Sequence, residues 1–395
     1  MRSASGQAML SPHPRRWKIR ARRRTFCIPE SQMPGLADLG WNDRLADAFA
    51  ASGASHLVPA RVSLEHTHIY RVLAESGEWL ARVSGRLRHQ ASARADFPAV
   101  GDWVAVEPPQ DDGVDGVAGV ARIRSVLPRA SRFSRRAAGD RTEEQVVAAN
   151  IDVVFLVSGL DGDYNLRRIE RYLLVALDSG ATPVIVLNKA DLVSDPSANV
   201  AEVHSLSPGI AVHAVSSKDP DSLDVLRTFL GPGRTGALLG SSGVGKSTIV
   251  NRLVGYDLLA TRDVRVSDSR GRHTSTHRQL VILPGQGILI DTPGMRELQL
   301  WETGEAAAGT FSDIASLGAG CRFRDCAHDS EPGCAVIAAI AAGDLSESRL
   351  ESFRKLRSEQ AHQHRQQDQR AQLDQKRLWK TLTKAANKHI REKRR

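Results

Sequence analysis

The sequence predicts a multidomain α/β chain: a small N-terminal β-barrel of the oligonucleotide-binding (OB) kind, a doubly wound α/β unit, and a helical C-terminal module built on a metal cluster. Three observations carry this. Five short β-like runs separated by turn residues fall within about seventy residues, which suits a five-strand barrel. From about Asn150, apolar runs alternate with helical spacing, as in a sheet covered on both faces. Cys321, Cys326, His328 and Cys334 then lie within fourteen residues, an arrangement that suits metal better than a disulfide framework.

Taken in order, residues 1–45 read as a basic flexible arm. Residues 46–130 hold the barrel, in the runs "LVPARVSLEH", "HIYRVLA", "EWLARVSG", "AVGDWVAVEP" and "GVAGVARIRSVLP". Residues 131–302 form the α/β unit. "IDVVFLVSGL" is continuously apolar, as a parallel strand buried on both faces should be. "NLRRIERYLLVALDSG" follows with helical spacing and a glycine stop, then "TPVIVLNKAD", "IAVHAVSS" and "TGALLG" as strands, with a helix "DSLDVLRTFL" before the last. "KSTIVNRLVG" is a helix and "QGILIDTPG" a strand. Residues 303–350 are the metal module. Residues 351–395 have good helix formers, few breakers and too little apolar content for a core, so they read as a solvated basic helix.

Charge is placed unevenly. Residues 1–30 carry eight Lys/Arg against one Asp/Glu, and residues 351–395 carry fourteen against five. The whole chain is only +9, so the body between these ends is acidic. Two basic ends on an acidic body are the footprint of a nucleic-acid partner, although basic tails also aid solubility. The Arg-rich start is compatible with an organellar transit peptide, but a solvated arm touching nucleic acid is the simpler reading. No run of about eighteen apolar residues occurs, so no membrane association is expected. The expected location is cytoplasmic and the expected state a monomer.

The α/β unit carries the chemistry. Gly240, Ser241, Ser242, Gly243, Val244, Gly245, Lys246, Ser247 and Thr248 match the phosphate-binding loop, lying after a strand and opening a helix as that motif requires. Its backbone N–H groups converge on phosphate, with Lys246 reaching the β- and γ-phosphates and Ser247 ligating Mg²⁺. Asn188, Lys189, Ala190 and Asp191 spell NKAD at the end of an apolar strand. A carboxylate there accepts from both N1–H and the 2-amino group of guanine, a donor pair that adenine lacks. Ser216, Ser217 and Lys218 end the next strand and resemble a second base-contacting loop. Asp291 and Gly294 belong to D-T-P-G, whose Asp can hold Mg²⁺ through water and whose Gly N–H can sense the γ-phosphate. The ligand set is therefore GTP or GDP with Mg²⁺.

Base loops precede the phosphate loop here, the reverse of most GTPases. Ligands of an open α/β sheet bind at the carboxyl ends of strands, whatever order the chain visits them in. Joining old termini and cutting elsewhere keeps such a site, so the order reads as a circular permutation. The D-T-P-G strand becomes last in the unit and is tied directly to the metal module.

Hydrolysis needs a group that orients water. Many GTPases place Gln just after DxxG; Met295 stands there instead. His273 in "GRHTST" is the best substitute, with Thr274 or Thr276 as a switch ligand for Mg²⁺. Three thiolates and an imidazole from Cys321, Cys326, Cys334 and His328 suit one closed structural Zn²⁺ with no open position.

This order of motifs, "GRHTST" before DTPG, a preceding barrel and a following Cys/His cluster resemble the ribosome small subunit-dependent GTPase A (RsgA, YjeQ) family over roughly residues 55–345. The basic arm and the tail after Arg349 are less typical. The resemblance implies an OB domain, a permuted GTPase and a zinc domain. It implies action in late maturation of the small ribosomal (30S) subunit, rRNA binding, and GTPase activity stimulated by that subunit. It points to His273 for catalysis and accommodates the one-residue spacing of Cys326 and His328. Two alternatives stay open: a GTP-gated RNA-binding module whose hydrolysis is incidental, and an organellar version of the same factor.

Overall fold

A computed structural model describes residues 34–51, 56–66, 69–109, 119–136, 144–256, 258, 279–283, 285, 287–291, 311–347, 349–351, 353–354 and 357–358. Residues 36–40 form turns and α1 spans Asp43–Ala50, started by the Asn42 side chain accepting from Leu45 N. The arm read from composition therefore gives way to packed chain before residue 45. Leu39 and Leu45 are buried, and Trp41 stacks edge-on against Trp103 and Phe49. Apolar side chains outweigh the basic character that dominates further upstream.

The barrel follows as β1 (Val58–His66), β2 (Ile69–Ala74), β3 (Gly77–Val83), α2 (Gly85–Gln90), β4 (Trp103–Glu107) and β5 (Ala121–Val126). Strands pair β1–β2, β2–β3, β3–β5, β5–β4 and β4–β1, which closes the sheet. Its interior holds Ala60, Val62, Val72, Ala81, Val104, Val106 and Ile123. The five strands coincide with the short β-like runs read from the sequence, β3 beginning one residue earlier at Gly77.

A hairpin, β6 (Arg132–Arg136) and β7 (Glu144–Ala149), leads into the α/β unit. That unit comprises β8 (Val153–Gly159), α3 (Leu166–Ser179), β9 (Thr182–Asn188), α4 (Ser197–Leu206), β10 (Ala211–Ala214), α5 (Asp224–Arg227), β11 (Thr235–Gly240), α6 (Lys246–Val254), β12 (Gln279–Ile282) and β13 (Ile288–Asp291). The order across the sheet is β10-β9-β8-β11-β13-β12; β12 runs antiparallel to β13 and the rest are parallel. One apolar cluster, with Leu156, Ile185 and Leu239, packs against α3. The other, with Phe155, Val186 and Leu238, packs against α6. Alternate side chains of the same strands enter opposite clusters, as a doubly wound sheet demands.

The two sheets are continuous. Leu64 of β1 pairs with Gln279 of β12, so the barrel and the α/β sheet share an edge. Arg61 reinforces the junction. Its buried guanidinium donates to the carbonyls of Leu39, Gly101 (3.2 Å) and Asn150 (3.0 Å) and lies 5.7 Å from the Trp103 ring centroid. Burial lowers its pKa to about 10, so it remains a cation at neutral pH.

The C-terminal module has α7 (Ser312–Gly318), a looped segment carrying the cysteines, and α8 (Ala335–Ala342). Phe311, Ile314, Cys326, Cys334, Val336, Leu345 and Leu350 join the α3-side core. Phe353 stacks on Phe311 with centroids 5.5 Å apart, and Arg354 donates to the His328 carbonyl. The first turns of the basic tail therefore belong to the metal module, because Phe353 supplies an apolar anchor against Phe311.

Candidate nucleotide and metal sites

Strand ends place the nucleotide motifs. Leu156, Val157, Ile185 and Leu239 bury the sheet, and its strands stop at Gly159, Asn188, Ala214, Gly240 and Asp291. Asn188 joins two of the loops. Fully buried, it donates from Nδ2 to the Val244 carbonyl at 2.7 Å and to Ser217 Oγ at 3.3 Å, while Oδ1 accepts from Ser217 N at 2.9 Å. The phosphate loop is thereby pinned to the second base loop. The approach is close: a Cβ on Gly245, whose φ is +97°, would sit 2.2 Å from Asn188 Nδ2.

Asp191 is held by the second base loop. Ser216 Oγ donates to Oδ1 at 2.7 Å and Lys218 Nζ to Oδ2 at 2.7 Å. These contacts, Lys218 first, hold its pKa below the usual carboxylate value. Lys189 adopts a left-handed backbone (φ +65°), pairs with Asp161, and is followed by Ala190, whose N–H donates to Val215 O at 3.1 Å. Two carboxylate oxygens are thus presented side by side to paired donors, the geometry a guanine edge requires.

On the phosphate side, Lys246 Nζ folds onto the carbonyls of Gly240 (2.7 Å) and Ser241. Asp291 ends β13 with Oδ2 buried and unpartnered among the described residues. Burial raises its pKa to about 6, with Lys246 opposing the shift. A buried acceptor without a donor fits a site for hydrated Mg²⁺. Ser242 and Gly243 are exposed at the loop tip, Val244 is buried beneath it, and Ser247 and Thr248 are half-buried in the first turn of α6. His273, Thr274, Thr276 and Gly294 lie outside the described residues.

Cys321, Cys326, His328 and Cys334 come together with all four ligand atoms within 4.8 Å of one another. Cys321 Sγ lies 3.8 Å from Cys334 Sγ, and each of these sulfurs is 3.5 Å from His328 Nδ1. A tetrahedral Zn²⁺ with bonds of about 2.3 Å to S and 2.0–2.1 Å to N puts sulfurs about 3.8 Å apart and S to N about 3.5 Å. The donor set fits. His328 needs a left-handed backbone (φ +61°), which the Glu331 carboxylate stabilises by accepting from the N–H groups of Ala327, Asp329 and Ser330. These turn contacts hold Glu331 down to a pKa of about 2.

Sequence patterning did not reveal Asp161, Asp163, Arg168, Glu170 or Arg349. The "DGDYNLRR" stretch joins a strand end to a helix start, which was the available signal for the first three.

A family model described as RsgA GTPase matches residues 126–301. The chain is 49% identical over 350 residues to the small ribosomal subunit biogenesis GTPase RsgA of Opitutus terrae, covering 88% of this chain and 95% of that relative. It belongs to the RsgA GTPase family. The RsgA of Syntrophotalea carbinolica is 41% identical over 365 residues, covering 90% of this chain and 98% of that one. Among solved structures, YjeQ from Thermotoga maritima aligns over 77% of this chain and 98% of its own length, with TM-score 0.56 and 26% identity. YloQ, titled a circularly permuted GTPase, aligns over 77% and 95% with TM-score 0.54 and 23% identity, a likeness of fold. This chain thus comprises a closed barrel, a circularly permuted GTPase sheet and a C-terminal Cys₃His module.

Proposed function

We propose that this chain is a GTP-hydrolysing factor of small ribosomal subunit biogenesis that binds rRNA late in maturation and is stimulated by the subunit. The observation that carries the nucleotide reading is the meeting of three separated motifs around Asn188: the base loop, the second base loop and the phosphate loop. The relatives named for small-subunit biogenesis support the partner, over nearly their full lengths.

In this reading Asp191 accepts from the guanine N1–H and 2-amino groups, exchanging Lys218 and Ser216 for the base. Lys246 leaves its carbonyl partners for the β- and γ-phosphates. The N–H groups of residues 241–246 cradle those phosphates, and the start of α6 adds positive potential. Ser247 and one of Thr274 and Thr276 would hold Mg²⁺ directly, with Asp291 holding it through water. Bound Mg²⁺ neutralises charge on the phosphate oxygens. His273 orients the attacking water, and Gly294 donates its N–H to the γ-phosphate. Cys321, Cys326, His328 and Cys334 hold one structural Zn²⁺. The factor works as a cytoplasmic monomer; no described helix is long and apolar enough to cross a membrane.

The test is GTP turnover with purified small or large ribosomal subunits. Small subunits should raise turnover by at least tenfold and large subunits should not. Equal stimulation by both, or by neither, overturns the assigned partner.

A further inference from the structure

Helix α3 touches both the phosphate loop and the C-terminal module, through different side chains. Toward the nucleotide site, Arg168 Nη1 donates to both oxygens of Asp163 (2.7 and 2.6 Å) and to Ser241 Oγ (2.5 Å). Ser241 immediately follows Gly240 in the phosphate loop. Asn165 caps α3 by accepting from Arg168 N, which fixes where that side chain starts. Toward the C-terminal module, the buried Glu170 accepts from Arg349 Nη1. Arg349 is itself rigidly held: Asp313 takes a two-pronged contact from Nε and Nη2, and the guanidinium lies 5.0 Å from the Phe311 ring centroid. An arginine clamped by its own module and joined to a buried carboxylate of α3 cannot move without moving that helix.

The contact between α3 and the phosphate loop is not a filled apolar joint. A cavity of about 10 Å³ lies there, lined by Ser158, Arg168, Tyr172 and Ser241 among others. That is close to the smallest space holding one water, and its lining joins the polar Ser158, Arg168 and Ser241 to the apolar Leu156, Val157 and Ile169. The apolar face of α3, with Ile169, Leu173 and Leu174, is packed into the core, so the helix moves as one body and the Arg168 contact makes Ser241 follow it.

We propose that Arg168 is a positioning residue for phosphate binding and that α3 carries the state of the C-terminal module to it through Glu170 and Arg349. This rests on the nucleotide reading above. It adds a route from module to phosphates that does not pass through the D-T-P-G segment. Arg168 holds Ser241 where the loop N–H groups converge, and the module sets how firmly it does so.

The experiment is a double-mutant cycle on GTP hydrolysis by the full chain, without ribosomal subunits. Arg168→Ala should raise KM for GTP about five- to tenfold with kcat within twofold, and Arg168→Lys should recover part of that loss, since an ammonium can still reach Ser241. Glu170→Gln touches no nucleotide, yet should raise KM about threefold in the parent and by less than 1.5-fold in the Arg168→Ala background. Arg349→Lys, measured in both backgrounds, should repeat the pattern and serves if Glu170→Gln folds poorly. Equal fold-changes in both backgrounds, or no change in either variant, overturn the coupling. A large kcat loss with unchanged KM in Arg168→Ala overturns the positioning role. Failure of the parent protein to bind GTP would instead sink the nucleotide reading, so the two failures are distinguishable.

Discussion

At Asp191 the protein presents its two carboxylate oxygens to two donors, Ser216 Oγ and Lys218 Nζ. Guanine must replace both with N1–H and the 2-amino group, so base choice depends on a carboxylate that cannot be left unpaired. Sites of this kind discriminate by about 10⁴ or more. Asp191→Asn should therefore cost GTP at least about 100-fold in affinity and favour xanthosine triphosphate, whose 2-carbonyl accepts from an amide. Competition between fluorescent nucleotides reads this directly, and an unchanged preference for GTP would show the base pocket lies elsewhere. Asp291 carries the opposite strain. Its folded pKa, about 6, lies above the ordinary 3.8, so the native state favours the proton. The ionised form costs stability above pH 6, and that cost fades as pH falls toward 4. Asp291→Asn should stabilise the nucleotide-free protein by about 1–3 kcal/mol at pH 7.5 and by almost nothing at pH 4. Urea midpoints at the two pH values test this. A benefit equal at both would mean that the buried charge is not its source.

Single elements explain what patterning made legible. The strands β8, β9 and β11 are buried along nearly their whole length, and their unbroken apolar runs announce them. The barrel strands show themselves as short β-like runs set between turn residues. The β6–β7 hairpin escapes because Arg132, Arg135 and Arg136 hide the period of its first strand, although Phe133 on β6 and Val146, Val147, Ala148 and Ala149 on β7 are buried. In "DSLDVLRTFL" the expected single helix is a 3₁₀ turn at Asp221–Leu223 and a short α5, with Leu223, Leu226 and Leu230 buried beneath. Those leucines satisfy the core without a longer helix. The start of α6 shows how tightly an element can be set. Gly245 combines φ +97° with Asn188 Nδ2 at 2.2 Å from any added Cβ. Gly245→Ala must displace Asn188 and separate the phosphate loop from Ser217. Backbone strain of about 1–3 kcal/mol plus that displacement predicts at least about a 100-fold loss of GTP affinity. Calorimetric titration would show it, and a loss under threefold would mean Asn188 is not the brace. The metal loop makes a parallel case, because Cys326 and Cys334 belong to the same core as Phe311 and Val336. Purified protein should carry about one equivalent of zinc. Cys334→Ser should lose it and open residues 311–358 to proteolysis. Full protease resistance in a zinc-free variant would make the metal dispensable to the module's fold.

Across the whole molecule, motif order was legible because each motif is local, and the sheet's strand ends then gather them. Long-range docking was not. Glu170 meets Arg349 across 179 positions, and Leu64 meets Gln279 as the barrel joins the α/β sheet. No periodicity encodes such pairs. The charge distribution is legible and has a measurable consequence. Residues 361–395 carry eleven Lys/Arg against three Asp/Glu and lie beyond Phe353 and Arg354, which hold the metal module. If this tail grips rRNA backbone, each phosphate it neutralises adds about 0.9 to the steepness of log K against log salt for duplex-like RNA. Truncation after residue 360 should flatten the salt dependence of small-subunit binding by several units. It should leave GTP affinity unchanged, because every nucleotide motif lies upstream, and it spares the anchors that a cut at 351 would remove. His273→Ala should act in reverse: binding of GTP and subunit persists, stimulated hydrolysis is lost, and the factor stays on the subunit with GTP unspent. Sedimentation of both variants with small subunits across a salt series separates the two effects. A truncated chain with the parent's slope would show that the basic tail is a solubility device, and the grip on RNA would then have to come from the folded body or the N-terminal arm.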